Sequence, residues 1–399
     1  MKHKEPHLII DLDDDYTIFS VVIFDENKNH TILKNKSISS KGIHKGAITN
    51  VKLISENLKK IINEIENEID YFFSKVVLII NPRNVDCLNI SGYKKLNGSQ
   101  VLREDVSYIL NDVKNIVQLT EDKHTAIHLF NSSFSLDSDN LENLPVGLFG
   151  DFYNQNMSFV LVQKNLIKNF KLALTETGLY IDRIILKPFA ECVNLISTHL
   201  FKNNFLFLEL GNDVSNINII KNKSLIFSQS FNFGLGLALQ DVSKLCSLKI
   251  EEVNVLLADC NLEEKTLDGK ENYIDKKYFT ISPYRKVKLK LVLDVITARL
   301  EEFIEIFAQK NSNLTFLKKE INIFLVKIGE KDFSKNIKYL LMNINKKFNF
   351  KFIDDLDDHF LIGINGAAEL ISKGWEKEAI PIIQQKKSFI SGFFSRLFK

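Results

Sequence analysis

The sequence predicts an α/β protein made of two similarly planned halves, interrupted by a smaller α+β unit and closed by an amphipathic helix. Three observations carry that expectation. Strand and helix patterns alternate through most of the 399 residues. The opening plan of the chain recurs from Phe205: a strand ending on an acidic residue, a tight turn, then further strands. The final fourteen residues, Lys386 to Lys399, make an apolar helical stripe edged with cations.

Leu8 to Asp11 and Tyr16 to Phe24 read as adjacent strands joined by the acidic turn Leu12 to Asp15. From about Val51 to Phe72, apolar residues at Leu53, Ile54, Leu58, Ile61, Ile62, Ile65 and Ile69 recur at helical spacing. Val76 to Ile80 is then a buried strand that Pro82 closes. Residues 81–162 read as the separate α+β unit. It has a short strand pair around Val85 to Ile90, a helix from about Arg103 to Ile116, and strands near Thr125 to Phe130 and Ser158 to Val162. The polar stretch Asp137 to Asn143 reads as mobile. A helix from Leu166 to Thr177 stops at Gly178 before the strand Ile181 to Leu186. The second half brings the strand Phe205 to Leu210, a turn at Gly211-Asn212-Asp213, and strands over Ser215 to Ile220 and Ser224 to Phe231. The expected division is 1–80, 178–204 and 360–380 for the first half, 81–162 for the insertion, and 205–359 for the second half with an upper part over about 237–305. Residues 381–399 form a linker and terminal helix.

Composition narrows the function classes. An apolar content of 45% is ordinary for a folded chain, and a net charge of +2 gives no bulk basicity from which to read nucleic-acid binding. Cys87, Cys192, Cys246 and Cys260 lack the spacing of a zinc site and the density of a disulfide framework, so they read as reduced cytosolic thiols. The stretch Met1 to His7 runs into a short strand, and neither a signal peptide nor an amino-terminal anchor is expected.

In the terminal stripe, Phe389, Ile390, Phe393, Phe394, Leu397 and Phe398 share one helical face, and Lys386, Lys387, Arg396 and Lys399 flank it. The segment is too short to span a bilayer, which takes about 20 apolar residues. Two readings remain: a helix lying in one leaflet of an anionic membrane, or a helix docked on its own protein. A single helix of this size binds lipid weakly, so the membrane reading also implies a homo-oligomer.

Several blocks resemble the bacterial cell-division family FtsA, of the actin and Hsp70 superfamily. Lys41-Gly-Ile-His-Lys-Gly-Ala-Ile-Thr-Asn50 is similar to that family's KGI.KG.I.N segment, and Glu142 to Gly150 to its GIKNPVGMSG block. Thr177 to Ala190 resembles CGLKVDDLVLEPLA, Asp294 to Phe303 resembles IIEPRVEEIF, and Gly366 to Ile371 looks like its closing helix. The resemblance implies an actin-like, ribonuclease H-like two-half fold with an FtsA-type inserted subdomain. It further implies a non-enzymatic peripheral protein on the cytoplasmic face of the inner membrane at the division septum. There it would tether FtsZ filaments, bind the FtsZ carboxyl-terminal peptide, polymerise, and recruit later division proteins. By position Arg299 falls among the peptide contacts, whereas its spacing alone pairs it with Glu302.

The expected site for ATP and Mg2+ departs from the family pattern. The first phosphate turn, Asp-x-Gly-Thr in actin-like ATPases, is Asp11-Leu-Asp-Asp-Asp15 here, which removes the glycine and adds charge beside a polyanion. The second turn is Glu209-Leu-Gly211-Asn212-Asp-Val214, the adenosine loop runs Leu325 to Glu330 around Gly329, and a further turn is Phe233-Gly234-Leu-Gly-Leu-Ala238. Asp11, Glu209, Gly211, Asn212, Gly234 and Gly329 are therefore the nucleotide contacts only if a site is retained, and weak or lost nucleotide binding is expected. The acidic turn has two readings of its own, a divalent-ion site or a solvated hairpin tip. His124 and His128 have the spacing of a helical metal pair but lie in a strand pattern, so no metal site is expected. An actin-fold ATPase and a scaffold of pilus or secretion assembly resembling PilM are the alternatives.

Overall fold

A computed structural model describes residues 5–198, 204–260, 272–311, 323–329, 333–344, 349–353 and 359–381. The expected terminal helix, Lys386 to Lys399, lies outside them. The chain divides into two compact units, one of residues 1–203, 219–229 and 360–399, the other of 204–218 and 230–359.

In the first unit, β1 (His7–Leu12) and β2 (Tyr16–Phe24) form the expected hairpin, followed by β3 (His30–Ser39) and the small hairpin of β4 (Ile43–His44) and β5 (Ala47–Ile48). Helix α1 (Val51–Ile69) starts where the Asn50 side chain accepts the Leu53 N–H at 3.0 Å. It ends at Asp70, which adopts a left-handed φ of 53°. The helix stops short of Phe72 and buries Ile54, Leu58, Ile61, Ile62 and Ile65. Strand β6 (Lys75–Ile80) pairs parallel to β1, and β11 (Tyr180–Leu186) parallel to β6, giving a sheet of order β11-β6-β1-β2-β3. Strands β1 and β6 are nearly continuous apolar runs because both lie at the sheet's centre.

Between β6 and β11 run β7 (Asp86–Lys95), α2 (Arg103–Thr120), β8 (His124–Leu136), β9 (Asp139–Leu141) and β10 (Phe152–Gln163), over the stretch expected as an insertion at 81–162, and then α3 (Lys164–Thr175). Two expectations are corrected here. The short strand pair around Val85 to Ile90 is one ten-residue strand. The stretch read as mobile contains β9, which pairs with β8 from Asp139 to Leu141. Helix α2 buries Val106, Ile109, Leu110, Val113 and Val117 with Leu129, Phe134, Tyr153, Met157 and Phe159 of the strands.

After β11 comes α4 (Lys187–Ser197). The second half runs β12 (Phe205–Leu210), β13 (Ser215–Lys221), β14 (Ser224–Phe231), α5 (Leu235–Cys246), α6 (Ile250–Asp259), α7 (Leu289–Ile304), β15 (Ile323–Ile328), α8 (Ser334–Ile344) and β16 (Asn349–Phe352). Its sheet has the order β14-β13-β12-β15-β16, with β12, β15 and β16 parallel. Taken in chain order, this is the arrangement of the first sheet again, so the repeat read from the sequence is a repeat of topology.

The described chain closes with α9 (Ile362–Ser372) and β17 (Glu378–Pro381). A Cβ on Gly366 would stand 1.7 Å from the Ala190 carbonyl oxygen, so α9 and α4 approach through bare backbone. Strand β17 pairs antiparallel with β8, giving the order β17-β8-β10-β7. Beneath it, the fully buried His128 meets Glu378 Oε1 at 2.7 Å through Nδ1 and accepts the Leu186 N–H at 3.0 Å through Nε2. The other Glu378 oxygen takes the Arg183 guanidinium.

Candidate functional site: two turns and a groove

The β1–β2 turn is built from carboxylates that the fold itself neutralises. Asp11, at the end of β1, is 1% exposed, and Lys187, the first residue of α4, reaches its Oδ2 at 3.0 Å and Asp13 Oδ2 at 2.5 Å. Glu191, one helical turn beyond Lys187, is buried as well. Burial alone would lower the Lys187 ammonium. Asp11, Asp13 and Glu191 outweigh it and hold that pKa well above its ordinary value. Burial also pushes the Asp11 carboxyl up to about 6, with Lys187 pulling the other way and Asp13 and Glu191 adding to the rise.

Asp14 faces the β4–β5 hairpin. The hairpin's two-residue loop, Lys45-Gly46, has φ of 58° and 68°, the left-handed pair that a tight hairpin turn requires. The two N–H groups aim together at Asp14, whose oxygens accept them at 2.8 and 2.7 Å. Gly46 admits no side chain, because a Cβ would lie 2.0 Å from the Asn81 oxygen. Ser40 Oγ donates to the Asp13 carbonyl at 2.6 Å. The solvated hairpin tip is thus corrected: Asp13 and Asp14 are half-buried and bonded, and Asp15 alone of the three is exposed.

In the second unit, Glu209, Gly211, Asn212, Gly234 and Gly329 converge. The Leu235 and Gly236 N–H groups donate to the Gly211 and Asn212 carbonyls at 2.9 and 2.8 Å, and the Gly329 N–H donates to Leu210 at 3.0 Å. A Cβ on Gly234 would meet the Gly211 oxygen at 2.2 Å, so these glycines pack backbone against backbone. Glu209 accepts from Asn216 Nδ2 at 3.1 Å and faces Lys327 at 3.8 Å.

The resemblance read from the sequence implies a divalent ion and nucleotide phosphates at such turns. The donor set of the first turn does not fit them: its carboxylates are bridged by an ammonium, and the paired N–H groups of Lys45 and Gly46 already hold a carboxylate. Among the described residues no group of three His, Cys, Asp or Glu is placed to hold a metal ion. His124 contacts Glu121 at 3.0 Å, and His128 contacts Glu378 at 2.7 Å.

Arg299, on α7, lines a groove of about 440 Å3 with Asp241, Lys244, Leu245, Val295, Ala298 and Glu302. Its Nε donates to Asp241 Oδ2 at 2.8 Å, its Nη2 to the same oxygen, and its Nη1 to Glu302 Oε2 at 2.5 Å. Asp241, burial notwithstanding, holds the guanidinium pKa above its ordinary value. The pairing with Glu302 is readable from sequence spacing; Asp241, on α5, is not.

No family model matches the chain. Cell division protein FtsA of Buchnera aphidicola from Acyrthosiphon pisum is 21% identical over 79% of this chain and 73% of its own length. The FtsA of Escherichia coli K12 is 18% identical over 68% and 64%. Among solved structures, a chain of the PilM-PilN type IV pilus biogenesis complex superposes with a TM-score of 0.51 at 11% identity, covering 93% of this chain and 97% of the other. The chain thus has the actin-like fold of two repeated halves and is similar in sequence to the cell division protein FtsA.

Proposed function

We propose that the chain is a division scaffold that tethers FtsZ filaments to the cytoplasmic face of the inner membrane and assembles as an actin-like polymer. The observation that carries this reading is the similarity to FtsA over 79% of the chain. The amphipathic pattern of Lys386 to Lys399 supports the membrane contact. The residues proposed to touch lipid are Phe389, Ile390, Phe393, Phe394, Leu397 and Phe398, with Lys386, Lys387, Arg396 and Lys399 on anionic headgroups. No helix among the described residues is long and apolar enough to cross a bilayer. Nucleotide binding is weak in this reading, and ATP hydrolysis is not its activity. A fluorescent ATP analogue bound with micromolar affinity contradicts that clause.

The α5–α7 groove suits the FtsZ peptide. Leu245, Val295 and Ala298 offer apolar surface, and Lys244 and Arg299 offer cations. Because Asp241 and Glu302 already neutralise Arg299, an acidic peptide docks by exchanging its carboxylate for one of theirs. Pull-down with the acidic carboxyl-terminal FtsZ peptide tests the site. Arg299→Glu weakens capture by at least about tenfold, the scale of one charged hydrogen bond. Asp241→Asn frees the guanidinium and strengthens capture, which a purely structural pair would not do. Deleting Lys386 to Lys399 releases the protein from anionic liposomes; unchanged sedimentation refutes the tether.

A further inference from the structure

We propose that Lys187 is a built-in cation, and Asp14 a built-in anion, that together replace the divalent ion and phosphate of an actin-like first turn. The turn is then ordered by its own side chains and needs neither ligand. The inference deepens the weak-nucleotide clause above and rests on the actin-like reading of the fold; the tether plays no part in it.

Three carboxylates, Asp11, Asp13 and Glu191, gather around one ammonium whose contacts are 3.0 Å to Asp11 and 2.5 Å to Asp13. An ammonium carries three donors on a compact centre, so it bridges several carboxylates as a small hydrated cation would. The residue type is telling. The LEP block that this stretch resembles has an acid before its proline, and here Lys187 precedes Pro188. A charge has been reversed in the middle of an acidic cluster. Without it, the buried Asp11 and Glu191 and the half-buried Asp13 would be left without that cation. Asp11 Oδ1 has no hydrogen-bond partner among the described residues, so the ammonium on Oδ2 is what holds this carboxylate charged.

The anionic half is equally specific. Consecutive left-handed residues turn the Lys45 and Gly46 N–H groups to one point, the backbone geometry that receives an anion. That point is occupied by both oxygens of Asp14. The carboxylate at position 14, which on sequence looks hostile to a phosphate, stands in for it.

The test is thermal unfolding of the full chain. Wild type keeps one midpoint in Mg2+ and in EDTA, and a rise of more than about 5 °C with Mg2+ alone overturns the proposal. Lys187→Ala lowers the midpoint, and ethylammonium chloride restores part of the loss while tetramethylammonium chloride at equal ionic strength does not. A Lys187→Ala protein with the wild-type midpoint, or one indifferent to ethylammonium, also overturns it. If that variant is insoluble, Lys187→Met, which keeps the apolar stem and removes the ammonium, must still lower the midpoint, and a wild-type midpoint in it overturns the proposal. Micromolar ATP-analogue binding alongside ethylammonium rescue would sink the weak-nucleotide clause and leave the built-in cation standing. No rescue alongside no analogue binding does the reverse.

Discussion

The clasp under β17 makes a prediction about acid sensitivity that the single tryptophan can report. His128 is fully buried, and its Nε2 accepts the Leu186 N–H, so the ring is neutral and its Nδ1–H donates to Glu378. Burial lowers the His128 pKa, and Glu378 does not restore it. Protonation would put an N–H against the Leu186 N–H. The sign follows from linkage. An unfolded histidine takes its proton near 6.5 while the folded ring does not, so stability falls as pH drops below about 6.5. At pH 5.5, one unit below that value, the ring accounts for a loss of up to about 1.4 kcal/mol relative to pH 7.5. Glu378, raised by burial but lowered more by Arg183 and His128, adds a further loss below about 4.3, lasting until pH reaches its folded value. Glu378→Gln at pH 7.5 leaves the Arg183 guanidinium against a neutral amide and costs about 3 to 5 kcal/mol. Trp375 lies three residues from Glu378, donates to the Lys223 carbonyl at 2.7 Å and meets Phe189 edge-on at 6.3 Å. Its emission, followed through urea unfolding at both pH values, reads the clasp locally. The reasoning fails if His128→Gln keeps the wild-type pH dependence, or if Glu378→Gln costs less than about 1 kcal/mol.

Two further substitutions probe the frame. Gly366→Ala drives a methyl into the Ala190 carbonyl, a backbone contact that no rotamer relieves, and costs about 3 kcal/mol, the upper end of the usual overpacking range, read as a fall in the urea midpoint. Glu252 is the charge that ties α6 to residues 280–282, accepting the Ile281, Ser282 and Lys249 N–H groups at 2.6, 3.0 and 2.8 Å. Burial raises its pKa, but the bonds from Ser282, Ile281 and Lys249 win and hold it well below the usual carboxylate range. Its stabilisation is therefore present above about 4.3 and lost as pH falls through the folded value. Glu252→Gln costs about 1.5 to 3 kcal/mol and speeds amide exchange at Ile281 and Ser282.

What the sequence made legible is what local pattern encodes. The apolar runs of β1, β6 and β12, the stripe of α1 and the stop at Gly178 (φ 85°) are properties of a few neighbouring residues. The repeated strand order follows from two such patterns in succession. Where neighbours mislead, the reading failed: β7 alternates between half-buried and exposed side chains along a sheet edge, and its outward Tyr93 and Lys95 resemble a loop. Strand β9 has three residues, too few for any period. Charge was the harder case, because a side chain's partner need not be near it in the chain. Asp13 meets Lys187 across 174 positions, and Arg299 meets Asp241 across 58. A run of four aspartates interrupted by one leucine therefore looks solvated until the fold brings an ammonium and a left-handed hairpin against it. The one local signal was the lysine before Pro188, in a block resembling a family segment with an acid at that place. Read beside the missing glycine of the first turn, those two departures compensate each other. A turn that had merely decayed would have lost its glycine without gaining a buried cation, and the Asp11–Lys187–Asp13 bridge is what separates replacement from decay.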